Sequence, residues 1–249
     1  ADNATTLLQE LTLSVAGRYD DYSDVGSTFN PKVGLTFRPV EWIKLRGSWG
    51  ESFNAPSLAD KPGVIVSNLA FANRLPPTAL LQSNGGTLPN PATGQVAAFV
   101  QGNAPDIAPQ SAKTLSLGAD IKPPFIPGLN LSATYCRIKL NGVIGLPPTD
   151  AGNIYGPYVN LVSFGPFTQG QVNDLKSSVS LVRNTCSPEP TCVYAIIDLR
   201  KRNLGNFKMS GLDLSGSYNL PTSFGAISLA ANANYDIKRK RQALSGQPF

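Results

Sequence analysis

Residues 11–39 read LTLSVAGRYDDYSDVGSTFNPKVGLTFRP, and their alternation decides the fold. Leu11, Leu13, Val15, Gly17 and Tyr19 share one parity; Thr12, Ser14, Ala16 and Arg18 share the other. After a polar break the pattern resumes, with Val33, Leu35 and Phe37 against Lys32, Gly34, Thr36 and Arg38. A period of two belongs to a β-strand whose faces meet different surroundings. Working outward, five further runs obey the same rule, at 42–49, 115–122, 129–136, 212–220 and 227–235.

The contents of the two faces narrow the class. One face is aliphatic, with Phe37, Trp49, Tyr135, Tyr218 and Tyr235 near run ends; the other is mostly Ser, Thr, Asn, Gly and Ala. A strand facing bulk water usually carries many Lys and Glu, whereas small polar residues suit a crowded, wet interior. An apolar outer band with aromatic girdles, over segments of about ten residues, is the pattern of a transmembrane β-barrel. Short Pro- and Gly-bearing connections near 39–41, 123–128 and 221–225 alternate with long ones at roughly 50–110 and 141–205, and a shorter one near 20–30. Tight turns at one end and long loops at the other place function at the long-loop end.

Composition agrees. The chain has 249 residues, 15% of them charged, with 23 Gly, 21 Pro and a formal net charge of +5. Charge is scarce against the ~25% of soluble domains. The absence of His removes the commonest metal ligand and general base, and with them His-dependent hydrolase, zinc and His-ligated haem chemistry. The runs Arg200-Lys201-Arg202 and Lys238-Arg239-Lys240-Arg241 read as solvated ends of elements, not as a nucleic-acid surface. No phosphate loop or nucleophile elbow occurs, so neither an enzyme nor a cofactor is expected. The acidic stretch 20–24 fails calcium-loop spacing and reads as a polar turn. Cys186 and Cys192 bracket SPEPT and suit a small loop disulfide in an oxidising compartment; Cys136 reads as packing. No helix of any length is expected, and 87–110 reads as loop.

Particular motifs now carry a resemblance. Arg18-Tyr19-Asp20, Asn30-Pro31-Lys32, Arg38-Pro39 and Phe53-Asn54-Ala55-Pro56-Ser57-Leu58 resemble successive strand-end elements of TonB-dependent outer-membrane receptors. Residues 102–123, 130–145 and 203–221 are similar to later strands of that barrel. The family commonly has Arg where Asn54 stands and Pro-Glu where Pro109-Gln110 stands, so a rim salt bridge is not expected here. The resemblance implies an all-β fold: an antiparallel up-and-down transmembrane barrel segment with short periplasmic turns and long extracellular loops. Residues 1–249 are expected to supply about seven strands from the middle-to-late part of the barrel, without the plug. A chain starting at Ala1 without a leader-like segment fits a processed or excised piece.

The implied function is uptake of a scarce, bulky solute such as an iron siderophore, vitamin or oligosaccharide. The implied partners are outer-membrane lipid and the TonB energy-coupling protein, acting through the plug. Arg18, Lys44 and Arg46 share the polar face and are candidate contacts for an anionic ligand. Tyr155, Tyr158, Phe164 and Phe167 are candidate loop contacts for the small-molecule ligand. The competing reading pairs those charges within the wall or with the plug, and packs those aromatics within the loop. The alternative class is a non-catalytic β-sheet binding or adhesion module, its apolar face covered by a second sheet.

Overall fold

The computed structural model describes residues 8–23, 26–61, 67–72, 78–83 and 96–249. In chain order, β1 (Glu10–Tyr22), β2 (Gly26–Val40) and β3 (Ile43–Asn54) form a meander. The first long connection carries β4 (Asn68–Ala72), helix α1 (Thr78–Ser83) and β5 (Val96–Gln101). A hairpin follows, β6 (Gln110–Ile121) and β7 (Leu129–Asn141). The second long connection holds β8 (Ile144–Gly145), α2 (Ala151–Ile154), β9 (Val162–Phe164) and α3 (Gln169–Ser178). It continues through β10 (Ser180–Arg183), β11 (Val193–Asp198) and β12 (Arg202–Asn203) to the hairpin β13 (Phe207–Thr222) and β14 (Gly225–Arg241).

Seven of these strands build a wall in the order β1-β2-β3-β6-β7-β13-β14, each pair antiparallel. All seven alternating sequence runs lie in them. Register keeps the faces pure: Leu13, Leu35, Gly47, Leu117, Tyr135, Leu212 and Tyr235 stand side by side across all seven strands. On the opposite face Thr12, Thr36, Arg46, Gly118, Thr134, Asp213 and Asn234 form the matching row. A one-residue slip at any pairing would mix these rows. The connection after β6 closes tightly because Gly128 adopts φ +90°, and a Cβ there would strike the carbonyl of Asn219.

Among the described residues, nothing covers the middle of the apolar face: Leu13, Leu131 and Leu229 stay 66%, 44% and 61% exposed. Among the described residues, every buried hydrophobic side chain lies outside the wall strands. The core is instead in the long connections, which fold together into a cap. Strands from both weave one five-stranded sheet, β10-β4-β5-β11-β9, in which β5 and β11 run parallel. Val96–Val100 is apolar on both faces because both are covered, as in buried sheets generally. Ala97 and Phe99 pack with Ile154, Tyr155, Tyr158, Tyr194 and Ile197. Val96, Ala98 and Val100 pack with Leu69, Phe71, Val172 and the cysteines.

Three expectations are corrected. Helix α3 exists, ten residues long, started by a reciprocal capping box between Thr168 and Gln171. The segment 87–110 is not all loop, since its residues 96–101 are a buried strand; 87–95 lie outside the described residues. Arg200-Lys201-Arg202 is not a solvated end. Its side chains are half-buried, Arg200 and Arg202 clamping Asp198 and Lys201 clamping Asp60.

Candidate functional site

The candidate site is the long-loop end of the wall, where the cap meets the polar face. Asn203 ties the two together. Its amide nitrogen donates to the carbonyls of Ala108 (2.7 Å) and Gly142 (2.8 Å), and its oxygen accepts from the Ala108 N–H (2.6 Å). The buried Asn103 side chain likewise donates to the carbonyls of Ala59 (2.7 Å) and Lys61 (3.2 Å). These bonds fix the chain just after β3 and just before β6, where loop becomes wall.

Electrostatics hold the cap from within. The Asp60 carboxyl lies below the usual carboxylate range because Lys201 and Ser57 donate to it. Burial pushes Asp198 up, but hydrogen bonds from Arg200 and Arg202 outweigh this and hold it below that range. Glu189 is lowered by Lys176 (3.0 Å), against burial, with Asn184 and Gln169 also donating to it. Asp150 is lowered by the side chain and backbone N–H of Asn153 at the start of α2. Cys186 and Cys192 are joined in a disulfide with Cα atoms 5.4 Å apart, packed under α3.

A cavity of about 440 Å³ opens in the cap between β5, α2 and β11, walled by Phe99, Ile154, Tyr155, Ile197 and Leu199 with Thr149 and Asp150 at its polar side. A second cavity of about 520 Å³ lies at the wall–cap junction, with Asp106, Asn141 and Arg202 alongside Leu161, Leu204 and Leu244 among its lining residues. An apolar pocket with a few convergent polar groups is the usual form of a small-molecule site.

The structure redistributes the sequence-derived candidates. Arg18, Lys44 and Arg46 share the polar face but do not converge: Arg46 is level with Thr12, six residues along β1 from Arg18, or roughly 20 Å. Arg18 pairs with Asp20 at 2.8 Å. Arg46 binds Asp120 at 2.9 Å and also donates to Ser132 (3.3 Å) and Thr134 (3.2 Å), a network across three strands. Lys44 is the cross-strand neighbour of Asp120. Tyr155 and Tyr158 are buried in the cap core; Phe164 packs against that same core, and Phe167 packs on the other side of the cap sheet. Of the four aromatics, only Tyr155 reaches the apolar cavity. Sequence reasoning missed Phe99 and Asp150, although VAAFV at 96–100 and the Asp150 cap were both visible signals.

A wall that is apolar on one face and polar on the other, with its long connections gathered at one end, has the architecture of a section of a membrane β-barrel. The chain belongs to the family described as TonB dependent receptor-like, beta-barrel, which it matches over residues 1–249. No curated protein matches it in sequence. Its fold is similar to that of the siderophore receptor PirA from Acinetobacter baumannii, at 19% identity and TM-score 0.52, covering 90% of this chain and 25% of that one. A mutant of the ferric enterobactin receptor PfeA from Pseudomonas aeruginosa gives 16% identity and TM-score 0.54, covering 93% and 25%. The RagAB peptide importer gives 13% identity and TM-score 0.53, covering 96% and 21%. The likeness is one of fold, and the chain spans about a quarter of the length of these receptors.

Proposed function

We propose that this chain is the wall and cap section of a TonB-energised receptor that takes up a bulky solute, such as an iron siderophore, across the outer membrane. It performs no catalysis in this reading. The supporting observation is the seven-residue rows: an unbroken apolar face set for lipid, backed by an unbroken polar face set for the lumen and plug. The Arg46–Asp120 network, with both charges matched, belongs to wall integrity. Ligand capture belongs to the cap, whose apolar cavity offers Tyr155, Phe99 and Asp150. The fold neighbours carry siderophores in two cases and peptides in a third, by their names, so the cavity and not the fold selects the solute.

The test is uptake by the full-length receptor in cells grown with candidate ferric siderophores. Uptake is expected to vanish in cells lacking the energy-coupling protein, while binding at the surface persists. Uptake that survives that loss overturns the energised reading. A chain recovered in a soluble fraction would favour the adhesion-module alternative.

A further inference from the structure

The run Lys238-Arg239-Lys240-Arg241 is split by the sheet between its two faces. Arg239 turns to the polar side, against Met209 Sδ (3.9 Å) and the Phe207 ring (5.8 Å). Lys238 and Lys240 turn to the apolar side. There Lys240 stands opposite Lys208, Lys208 opposite Lys139 and Lys139 opposite Lys113, so four cations share one cross-strand row, of which Lys113 is paired with Glu51. Next to them, one row closer to the apolar band, Lys238 and Arg137 flank Ser210. The row after that is Tyr135, Leu212 and Tyr235, the long-loop edge of the band. Directly opposed like charges destabilise a sheet, and a nearby bilayer strengthens their repulsion.

Among the described residues, no carboxylate forms an ion pair with Arg137, Lys139, Lys208, Lys238 or Lys240; Asp213 and Asp236 sit on the polar-face rows, and Glu51 pairs with Lys113. Arg137, Lys208, Lys238 and Lys240 instead line an outward groove of about 390 Å³ between Tyr135 and Phe249, with Lys208 Nζ 3.5 Å above the Phe249 ring, and Lys139 flanks Lys208 in the next strand. Basic clusters just outside an apolar span, with long side chains reaching up from an aromatic belt, are how membrane proteins hold anionic headgroups.

We propose that Arg137, Lys139, Lys208, Lys238 and Lys240 form a binding site for the phosphate groups of an outer-leaflet lipid headgroup. The site faces away from the lumen and adjoins the lipid-facing band, so its occupant is a membrane lipid whose acyl chains lie against the wall below. It is separate from solute capture in the cap. The inference rests on the proposed placement of the chain in the outer membrane with its cap outside, which the labelling experiment described below judges independently of lipid binding.

The experiment measures binding of bis-phosphorylated lipid A in neutral-detergent mixed micelles to the purified full-length receptor. The unaltered receptor is expected to bind it at least tenfold more tightly than dephosphorylated lipid A, and inorganic phosphate at millimolar concentration is expected not to compete. The variant Lys208→Gln/Lys238→Gln/Lys240→Gln should weaken binding at least tenfold. Arg239→Gln/Arg241→Gln, which alters the other face of the same run, should leave it unchanged. Slower migration after boiling reports that each variant is folded, and the dephosphorylated-lipid comparison needs no variant. Equal binding of the two lipids, an unaffected triple variant, or displacement by free phosphate would each overturn the proposal.

Discussion

Leu131 and Ser132 are neighbours in sequence and face opposite environments. Leu131 lies mid-band, opposite Gly216, and is exposed on the apolar face. Replacing it with Arg in the full-length receptor is expected to cost about 2–4 kcal/mol, the range for a cation at the bilayer midplane, read from urea unfolding in lipid vesicles. Ser132 is a poor matched control because its hydroxyl donates to Asp120 (2.8 Å) and accepts from Arg46. Asn232, on the polar face of β14, is the better one; Asn232→Arg should change stability by no more than about 0.5 kcal/mol. Asn203→Ala removes three hydrogen bonds at once and leaves peptide groups of two segments unpaired. It should cost about 1–2 kcal/mol, at about 0.5–1.5 kcal/mol for each net hydrogen bond at these exposed and half-buried groups, and should lower hydrogen-exchange protection at 105–110 and 142–145. Which polar residues would be structural was not visible in sequence. Arg46 meets Asp120, 74 residues away, only through the β3–β6 register.

The elements divide by how local their cause is. Wall strands were legible because each carries its own alternation and tight turns bound them on one side. Cap strands were not. Val96–Val100 has no alternation, and its partner β11 lies almost a hundred residues on, so neither run announces its pairing. Helix α3 was legible in principle, through Thr168 and Gln171, but its mostly polar surface hides the single fully buried Val172. Acidity should separate wall from cap. Asp60, Glu189 and Asp198 have folded pKa values below their unfolded ones, so their stabilisation is present above about pH 4 and is lost as pH falls through the folded values. Acidification from pH 7 to 3 is therefore expected to lower exchange protection factors in 193–203, leaving 33–37, a wall segment with no carboxylate, unchanged. Equal loss in both would refute the clamp. The disulfide closes a short loop, with a sequence separation of six. Removing it as Cys186→Ser/Cys192→Ser should lower protection around α3 and β10 by about 2 kcal/mol on a loop-entropy estimate.

For the molecule as a whole, the prediction concerns sidedness. Cap and short turns lie at opposite ends of the wall, so a membrane-impermeant maleimide added to intact cells should find only one of them. In a Cys136→Ser background of the full-length receptor, Leu146→Cys at the long-loop end is expected to label. Phe125→Cys, in the turn between β6 and β7, is expected to label only after the outer membrane is permeabilised. The reverse pattern would invert the assignment of cap to the outside. At this scale the sequence was informative about architecture and silent about where the core is. Burial follows from long-range pairing of two connections, and no local pattern encodes that.

The parallel pairing of β5 with β11 also ties the two long connections into one unit. Its partners flank the β6–β7 hairpin in sequence, so the pairing closes a loop that contains that hairpin. The hairpins β1–β2, β2–β3, β6–β7 and β13–β14 join strands close in sequence, whereas β3–β6 and β7–β13 close over roughly 55–90 residues and β5–β11 over about a hundred. Each cap core draws residues from both long connections, so the apolar segments of the first stay uncovered until the second is present. A folded cap is in effect a clasp, reporting that the chain on either side of the β6–β7 hairpin has come together.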